Sequence, residues 1–298
     1  NIMNNAILFF YNINIQEIKK INNNYYFSYL NNSYGIYPYN RALEELQELY
    51  DLNNMLLNLG LIGYEIFLTK EGNIIFPYGN RLYILMRMPN IKNRIITYED
   101  VISFNFNVEA KNYKLLDKSN WSYNWSQKID YISYQFSQMS NKYKIINDSI
   151  DYFIGIWENG ISYLNNNQIV TQKQVSHRRI RTDMDLLEFL NPLNFVVDCK
   201  ERDIGEYLKS YVLTNNYSSE IVLSFIKGME IENIIILISR ICFPSYYFDL
   251  YEDIIEKGKG EYGLTEIINK KDNILNLLAI IFKGYGDYNI PYIEWVKK

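Results

Sequence analysis

The chain holds one histidine, two cysteines, six prolines and 14 glycines among 298 residues, and each scarcity closes off a class of chemistry. One histidine with two well-separated cysteines, Cys199 and Cys242, excludes a conventional zinc site. Two cysteines are also too few for a disulfide framework, so free thiols in a reducing cytosol are expected. No Gly-x-Ser-x-Gly nucleophile elbow occurs. Asn1–Phe10 lacks a basic leader and a small-residue cleavage site, so no signal peptide is expected. The strongest apolar runs, Ile234–Ile238 and Leu277–Phe282, fall short of the roughly 18 residues that a membrane span needs. Excess positive charge is missing too: 30 basic residues face 34 acidic ones, for a net charge of -4 and a pI near 5.3. His177-Arg178-Arg179 with Arg181 is a local basic cluster that no stripe extends, so nucleic acid is not an expected partner. The reading is a soluble, cytoplasmic protein.

What is present is enough for a core, since 48% of the residues are hydrophobic. The 29 tyrosines and the abundant asparagine and isoleucine match the codon bias of an AT-rich genome. Asn22-Asn23-Asn24 and Asn165-Asn166-Asn167 then read as loops rather than prion-like segments. Adhesion or cross-linking through tyrosine is the competing reading of that excess.

Periodicity predicts a sheet-rich first part. Asn24–Leu30 and Gly35–Tyr39 read as strands parted by the turn residues Asn31-Asn32-Ser33. Arg41–Leu59 is the clearest helix, with Asn40 as N-cap and Gly60 closing it. Tyr64–Thr69, Asn73–Tyr78 and Leu82–Met88 read as three strands turned at Glu71-Gly72 and Gly79-Asn80. From Trp121 the pattern is helical, with helices predicted over 126–139, 152–166, 203–213, 219–227, 232–241, 247–256 and 273–283. Phe195-Val196-Val197 is a short strand ending at Asp198, and Gly258 and Gly260 mark a flexible turn. The fold class is α+β, with a small antiparallel-sheet lobe carrying one helix at 1–89 and a mainly helical lobe at 90–298.

One order of motifs carries chemistry. Val175-Ser176-His177-Arg178-Arg179-Ile180-Arg181 is followed by Phe195-Val196-Val197-Asp198-Cys199 and then Arg202-Asp203-Ile204-Gly205-Glu206-Tyr207-Leu208. A histidine loop, an apolar strand ending in aspartate and a second aspartate opening a helix resemble the C-terminal lobe of protein-kinase-like phosphotransferases of the aminoglycoside and choline kinase type. Four further blocks, 125–130, 153–161, 197–208 and 240–249, resemble the spore-coat-associated kinase-like proteins of low-GC Gram-positive bacteria. The resemblance implies a bilobal protein-kinase-like fold and a role in the spore coat.

Phosphoryl transfer on this fold needs parts that the chain lacks. Gly35–Tyr39 has no lysine to hold phosphates, and Glu45 or Glu48 on the helix has no such cation to pair with. Asn22–Asn32 has no glycine to let backbone approach a triphosphate. The resemblance places Arg178 and Arg179 where active relatives carry glycine and the catalytic aspartate, and Met184 near the metal-binding asparagine. Arginine accepts no proton at neutral pH. Asp198 resembles the magnesium-binding aspartate but is a weak cofactor and metal ligand alone; an ion pair with Arg179 or Arg202 is its ordinary alternative. Asp203 is expected as the N-cap of its helix, and His177 as a structural residue bonding a backbone carbonyl. Asp183 and Asp185 could replace the lost aspartate after a loop shift, or serve as a glycosidase acid–base pair.

The leading expectation is therefore a pseudokinase of spore-coat formation, with vestigial His177 and Arg179, no cofactor and coat proteins as partners. One alternative is an atypical small-molecule phosphotransferase using ATP and Mg through Asp198 with Asp183 or Asp185. A second is a purely structural coat subunit. The expected location is the cytoplasm, with incorporation into the spore coat.

Overall fold

Alternating aromatic and β-branched residues between Lys19 and Arg87 build an antiparallel sheet of six strands: β1 (Lys19–Ile21), β2 (Asn24–Tyr29), β3 (Asn32–Pro38), β4 (Glu65–Phe67), β5 (Ile75–Tyr78) and β6 (Arg81–Arg87). The order is β1-β2-β3-β6-β4, with β5 also on β6. The outer edge of β6 is shared, because Leu85–Arg87 pairs with β4 and Arg81–Ile84 with β5. This computed structural model describes residues 2–297 apart from 140, 141, 168, 170, 171, 215, 287, 289 and 292. The chain divides into two units, Asn1–Ile96 with Val108–Asp117 and Asp183–Val197, and Thr97–Asn107 with Lys118–Thr182 and Asp198–Lys298.

In the sheet unit, Phe27, Tyr34, Ile36, Phe76, Tyr83 and Leu85 pack with Met3 and Ile7 of helix α1 (Ile2–Tyr11). That helix was not expected, because Ile-Met-Asn-Asn-Ala-Ile-Leu-Phe-Phe-Tyr shows no single apolar stripe. Helix α2 (Leu46–Asn58) buries Leu49, Leu52 and Leu56, and its Asn53 amide donates to the Tyr64 carbonyl at 3.0 Å. Asn40 does not cap it: a 3₁₀ turn, Leu43–Glu45, comes first, so the helix starts one turn later. Gly60 ends it at φ +95°, and Gly72 and Gly79 adopt the positive φ their turns require. The β2–β3 turn sits at Leu30-Asn31, both left-handed, which moves Asn32 and Ser33 into β3. Asn22 likewise turns β1 into β2, and Asn24 is already strand.

The second unit is helical. Its elements are α3 (Tyr98–Ser103), α4 (Trp121–Ser137), α5 (Lys144–Asn167), strand β7 (Lys173–His177), the end of strand β8 (Phe195–Cys199), α7 (Lys200–Val212), α8 (Ser219–Ile226), α9 (Ile231–Cys242), α10 (Ser245–Lys257), α11 (Tyr262–Asn269) and α12 (Lys271–Gly284). The short α6 (Leu186–Phe189) belongs to the sheet unit. Trp121, Trp125, Ile129 and Ile132 of α4 share a core with Ile150, Phe153 and Trp157 of α5 and with Phe248, Tyr251 and Ile254 of α10. Asn165, Asn166 and Asn167 form the last turn of α5 rather than a loop, and the Asn167 side-chain amide donates to the Tyr163 carbonyl at 2.7 Å. Among the described residues one helical stretch, Ile231–Lys257, has the length and apolarity to cross a membrane, and 78% of its apolar window is buried in the fold, as a core helix would be.

Candidate functional site

Strand β7 delivers His177 to the interior with no exposed surface. Its Nδ1 lies 2.7 Å from Oδ2 of Asp203, and its backbone N–H donates to Oδ1 of the same carboxylate at 2.9 Å. The His177 carbonyl accepts from Arg202 Nε at 2.8 Å. The partner of Nδ1 is thus a carboxylate. Asp203 is not an N-cap either: Cys199 occupies that position and α7 starts at Lys200, so Asp203 stands inside the first turn and faces the histidine loop. A buried carboxylate that accepts two such bonds pins the loop to the helix.

Asp198, at the end of β8, is fully buried. Its Oδ2 accepts from Arg202 Nη1 at 2.8 Å and from Trp121 Nε1 at 2.9 Å, while Oδ1 accepts from the Cys199 amide at 2.8 Å. Three donors thus occupy most of the roughly four lone-pair sites of a carboxylate. A Mg²⁺ ion demands near-octahedral oxygen at about 2.0–2.1 Å. Arg202 already supplies the positive charge here, and among the described residues no group of three His, Cys, Asp or Glu side chains could hold a metal. Asp198 as arranged does not fit a magnesium ion.

The other loop positions point the same way. Arg179 pairs with Asp249 at 2.5 Å. Burial pushes the Asp249 carboxyl up, and Arg179 opposes that shift. Met184 has no exposed surface, and its carbonyl accepts from the Ile96 amide at 3.0 Å. Asp185 caps α6 by accepting from the Glu188 amide at 2.8 Å. Asp183 and Asp185 belong to the sheet unit, whereas His177, Arg179, Asp198 and Asp203 belong to the helical one.

Within the sheet unit, β3, the turn before α2 and α2 itself present tyrosine, an ion pair and a carboxylate bound to backbone amides. On β3, Tyr37 lies edge-on between Tyr26 and Tyr64, with ring centres 5.9 and 6.0 Å away. Its ring folds over Gly35, where an added Cβ would lie 2.4 Å from a ring carbon, so any larger residue there would have to displace the ring. Arg41 pairs with Glu45 at 2.8 Å and also donates to the Leu193 and Phe195 carbonyls. Glu48 accepts the amides of Leu115 and Leu116 at 2.9 and 3.1 Å.

A second buried charge cluster went unseen in the sequence. Glu206 pairs with Lys209 and with Arg240, each at 2.9 Å, and accepts from the Ser245 hydroxyl at 2.6 Å. The Arg240 guanidinium lies 5.2, 5.5 and 4.8 Å from the ring centres of Trp121, Trp125 and Phe243. Those rings are stacked on one another, at 5.4 and 4.8 Å. Burial works against the Glu206 charge, yet Lys209 and Arg240 hold its carboxyl at about 2. Burial draws Lys209 down to about 8, against the pull of Glu206. The available signal was an arginine inside the apolar run of α9, which in a buried helix demands a partner.

The model of a family described as spore coat putative kinase YutH matches residues 4–277. No curated protein sequence matches the chain. Among solved structures, an aminoglycoside phosphotransferase from Alicyclobacillus acidocaldarius is similar with a TM-score of 0.65 at 8% identity, over 95% of this chain and 96% of that one. A spectinomycin phosphotransferase bound to AMP gives 0.60 at 14% identity, over 94% and 97%. Choline kinase LicA from Streptococcus pneumoniae gives 0.51 at 11%, over 92% and 98%. At these identities the likeness is one of fold: an antiparallel sheet followed by a mainly helical remainder, of the protein-kinase-like type.

Proposed function

The chain belongs to the spore coat putative kinase YutH family, and from that premise we propose that it is a pseudokinase that acts in coat formation by binding protein. The observation that carries the reading is the closure of Asp198, whose oxygens are held by Arg202, Trp121 and the Cys199 amide. A carboxylate that already neutralises a buried guanidinium cannot take up a divalent cation without releasing that partner, and an unpaired buried arginine is costly. Arg179, Met184, Tyr37 and the Arg41–Glu45 pair add that base, metal ligand and phosphate cation are each replaced. In this reading ATP and Mg²⁺ are not cofactors, coat proteins are the partners, and the protein works in the cytoplasm before joining the coat. Tyr123, Tyr131 and Tyr134, 61%, 57% and 69% exposed on α4, suit contact with such a partner.

A thermal melt with ATP, with and without Mg²⁺, tests the loss of catalysis. A ligand at 100 times its Kd stabilises the folded state by about 2.7 kcal/mol; the expected Tm change here is none. A Mg²⁺-dependent rise that Asp198→Ala removes would overturn the reading in favour of a working phosphotransferase. For the binding role, coat proteins should be enriched on the immobilised protein from sporulating cells, and lost with Tyr123, Tyr131 and Tyr134 all changed to alanine. No enrichment over a blank support would refute it.

A further inference from the structure

Beyond that reading, a cavity of about 310 Å³ opens inside the helical unit at the start of β7. Four buried side chains form its floor: Trp121, Asp198, Cys199 and Ile236. Leu164 and Ile169 give it an apolar wall, and Asn120, Asn165 and Lys173 stand around its mouth. Its size is at the small end for organic ligands, and an apolar body with a few convergent polar groups is the usual make-up of such sites.

The charges decide what it would take. The Asp198 carboxylate on the floor is balanced by Arg202, which leaves that wall electrically closed. Lys173 is the other ionised group lining the cavity, and it has no ion-pair or hydrogen-bond partner among the described residues. The side-chain amides of Asn120 and Asn165 likewise have no hydrogen-bond partner among the described residues. One unbalanced ammonium beside two amide donors and an apolar wall is complementary to an anion on a small hydrophobic body. Lys173 and His177 occupy opposite ends of β7, about 13 Å apart at strand spacing, so an anion on Lys173 sits away from the histidine loop although the floor includes Asp198. We propose that this cavity binds a small organic acid, with the carboxylate on Lys173 and the Asn120 and Asn165 amides and the apolar portion against Leu164, Ile169 and Ile236.

Benzoate is a suitable probe, measured by calorimetric titration and by thermal melt at constant ionic strength, with inorganic phosphate as the anion that lacks an apolar body. Expected is saturable benzoate binding at one site, weakened about tenfold or more by Lys173→Gln, as loss of a charge-assisted bond predicts. Asn165→Trp, on an exposed turn of α5, should block the mouth and abolish binding without lowering the Tm of the free protein. Absence of a benzoate signal, equal affinity in Lys173→Gln, or a phosphate response as large as that of benzoate would each overturn the proposal. The proposal shares the Asp198–Arg202 pair with the pseudokinase reading, and the nucleotide melt tests that reading by itself, so the two failures are distinguishable.

Discussion

Arg202 decides the chemistry of this protein at the scale of single residues. It holds Asp198 through Nη1 and the His177 carbonyl through Nε, so one guanidinium ties the end of β8 to the histidine loop. Arg202→Ala should cost about 3–5 kcal/mol, because Asp198 stays buried without its counter-charge. Adding Asp198→Asn to Arg202→Ala should recover part of that loss, since removing both charges removes the penalty. Urea unfolding of the two variants checks this; equal losses would show that the pair is not coupled. Glu206 sets an acid limit in the same way. Its carboxyl ionises at about 2 when folded against 4.5 for the free group. As pH falls the unfolded chain takes up this proton first, so the stabilisation is complete above pH 4.5 and lost progressively toward pH 2. Its size is about 3 kcal/mol. Unfolding free energies from pH 6 to 2.5 should show the decline, and Glu206→Gln should flatten it while lowering stability throughout.

At the scale of elements, close approach of helices depends on where glycine stands. Gly160 on α5 faces α9 so closely that an added Cβ would come 2.8 Å from the Cys242 Cβ and 3.1 Å from the Ser239 carbonyl. Gly155, on the same helix, would meet nothing within 4 Å. Gly160→Ala should therefore destabilise by about 1–3 kcal/mol through overpacking, while Gly155→Ala should stabilise by about 0.5–1 kcal/mol through helix propensity. Opposite Tm shifts in one helix are the expected outcome, and shifts of the same sign would refute the close packing. The helices with a clear 3.6-residue stripe, such as α2 and α10, were legible in the sequence. Helices α4 and α5 start at Trp121 and Lys144, earlier than the predicted 126 and 152, because packing of Trp121 and Ile146 extends them.

At the scale of the whole molecule, the chain passes between the two units five times, at residues 96/97, 107/108, 117/118, 182/183 and 197/198. Reading along the sequence suggests a boundary after Pro89, yet Asp183–Val197 belongs with the sheet. It is attached there by Arg41 to the Leu193 and Phe195 carbonyls and by the amide of Ile96 to the Met184 carbonyl. A fragment of residues 90–298 would carry that segment and Val108–Asp117 without Arg41 and Glu48, which bond them. It should melt non-cooperatively by circular dichroism, whereas the full chain melts cooperatively. A fragment that melts with the sharpness of the full chain would contradict this.

Period and turn residues alone determined the α+β class and the order of sheet before helices, and the motif blocks carried the family resemblance, which in turn marked the lysine, glycine loop and loop aspartate as missing. These are visible because period, turn residues and residue type are local properties of the chain. Only the tertiary structure decided the partners: Trp121 on Asp198, Asp203 on His177, Glu206 between Lys209 and Arg240, and Tyr37 over Gly35. Three of those four join residues 26 to 77 positions apart or link separate helices, and the direction of a buried side chain is set by the helices packed around it. Sequence can say that Asp198 is a carboxylate; that Trp121 and Arg202 both donate to its Oδ2 follows from where folding brings them.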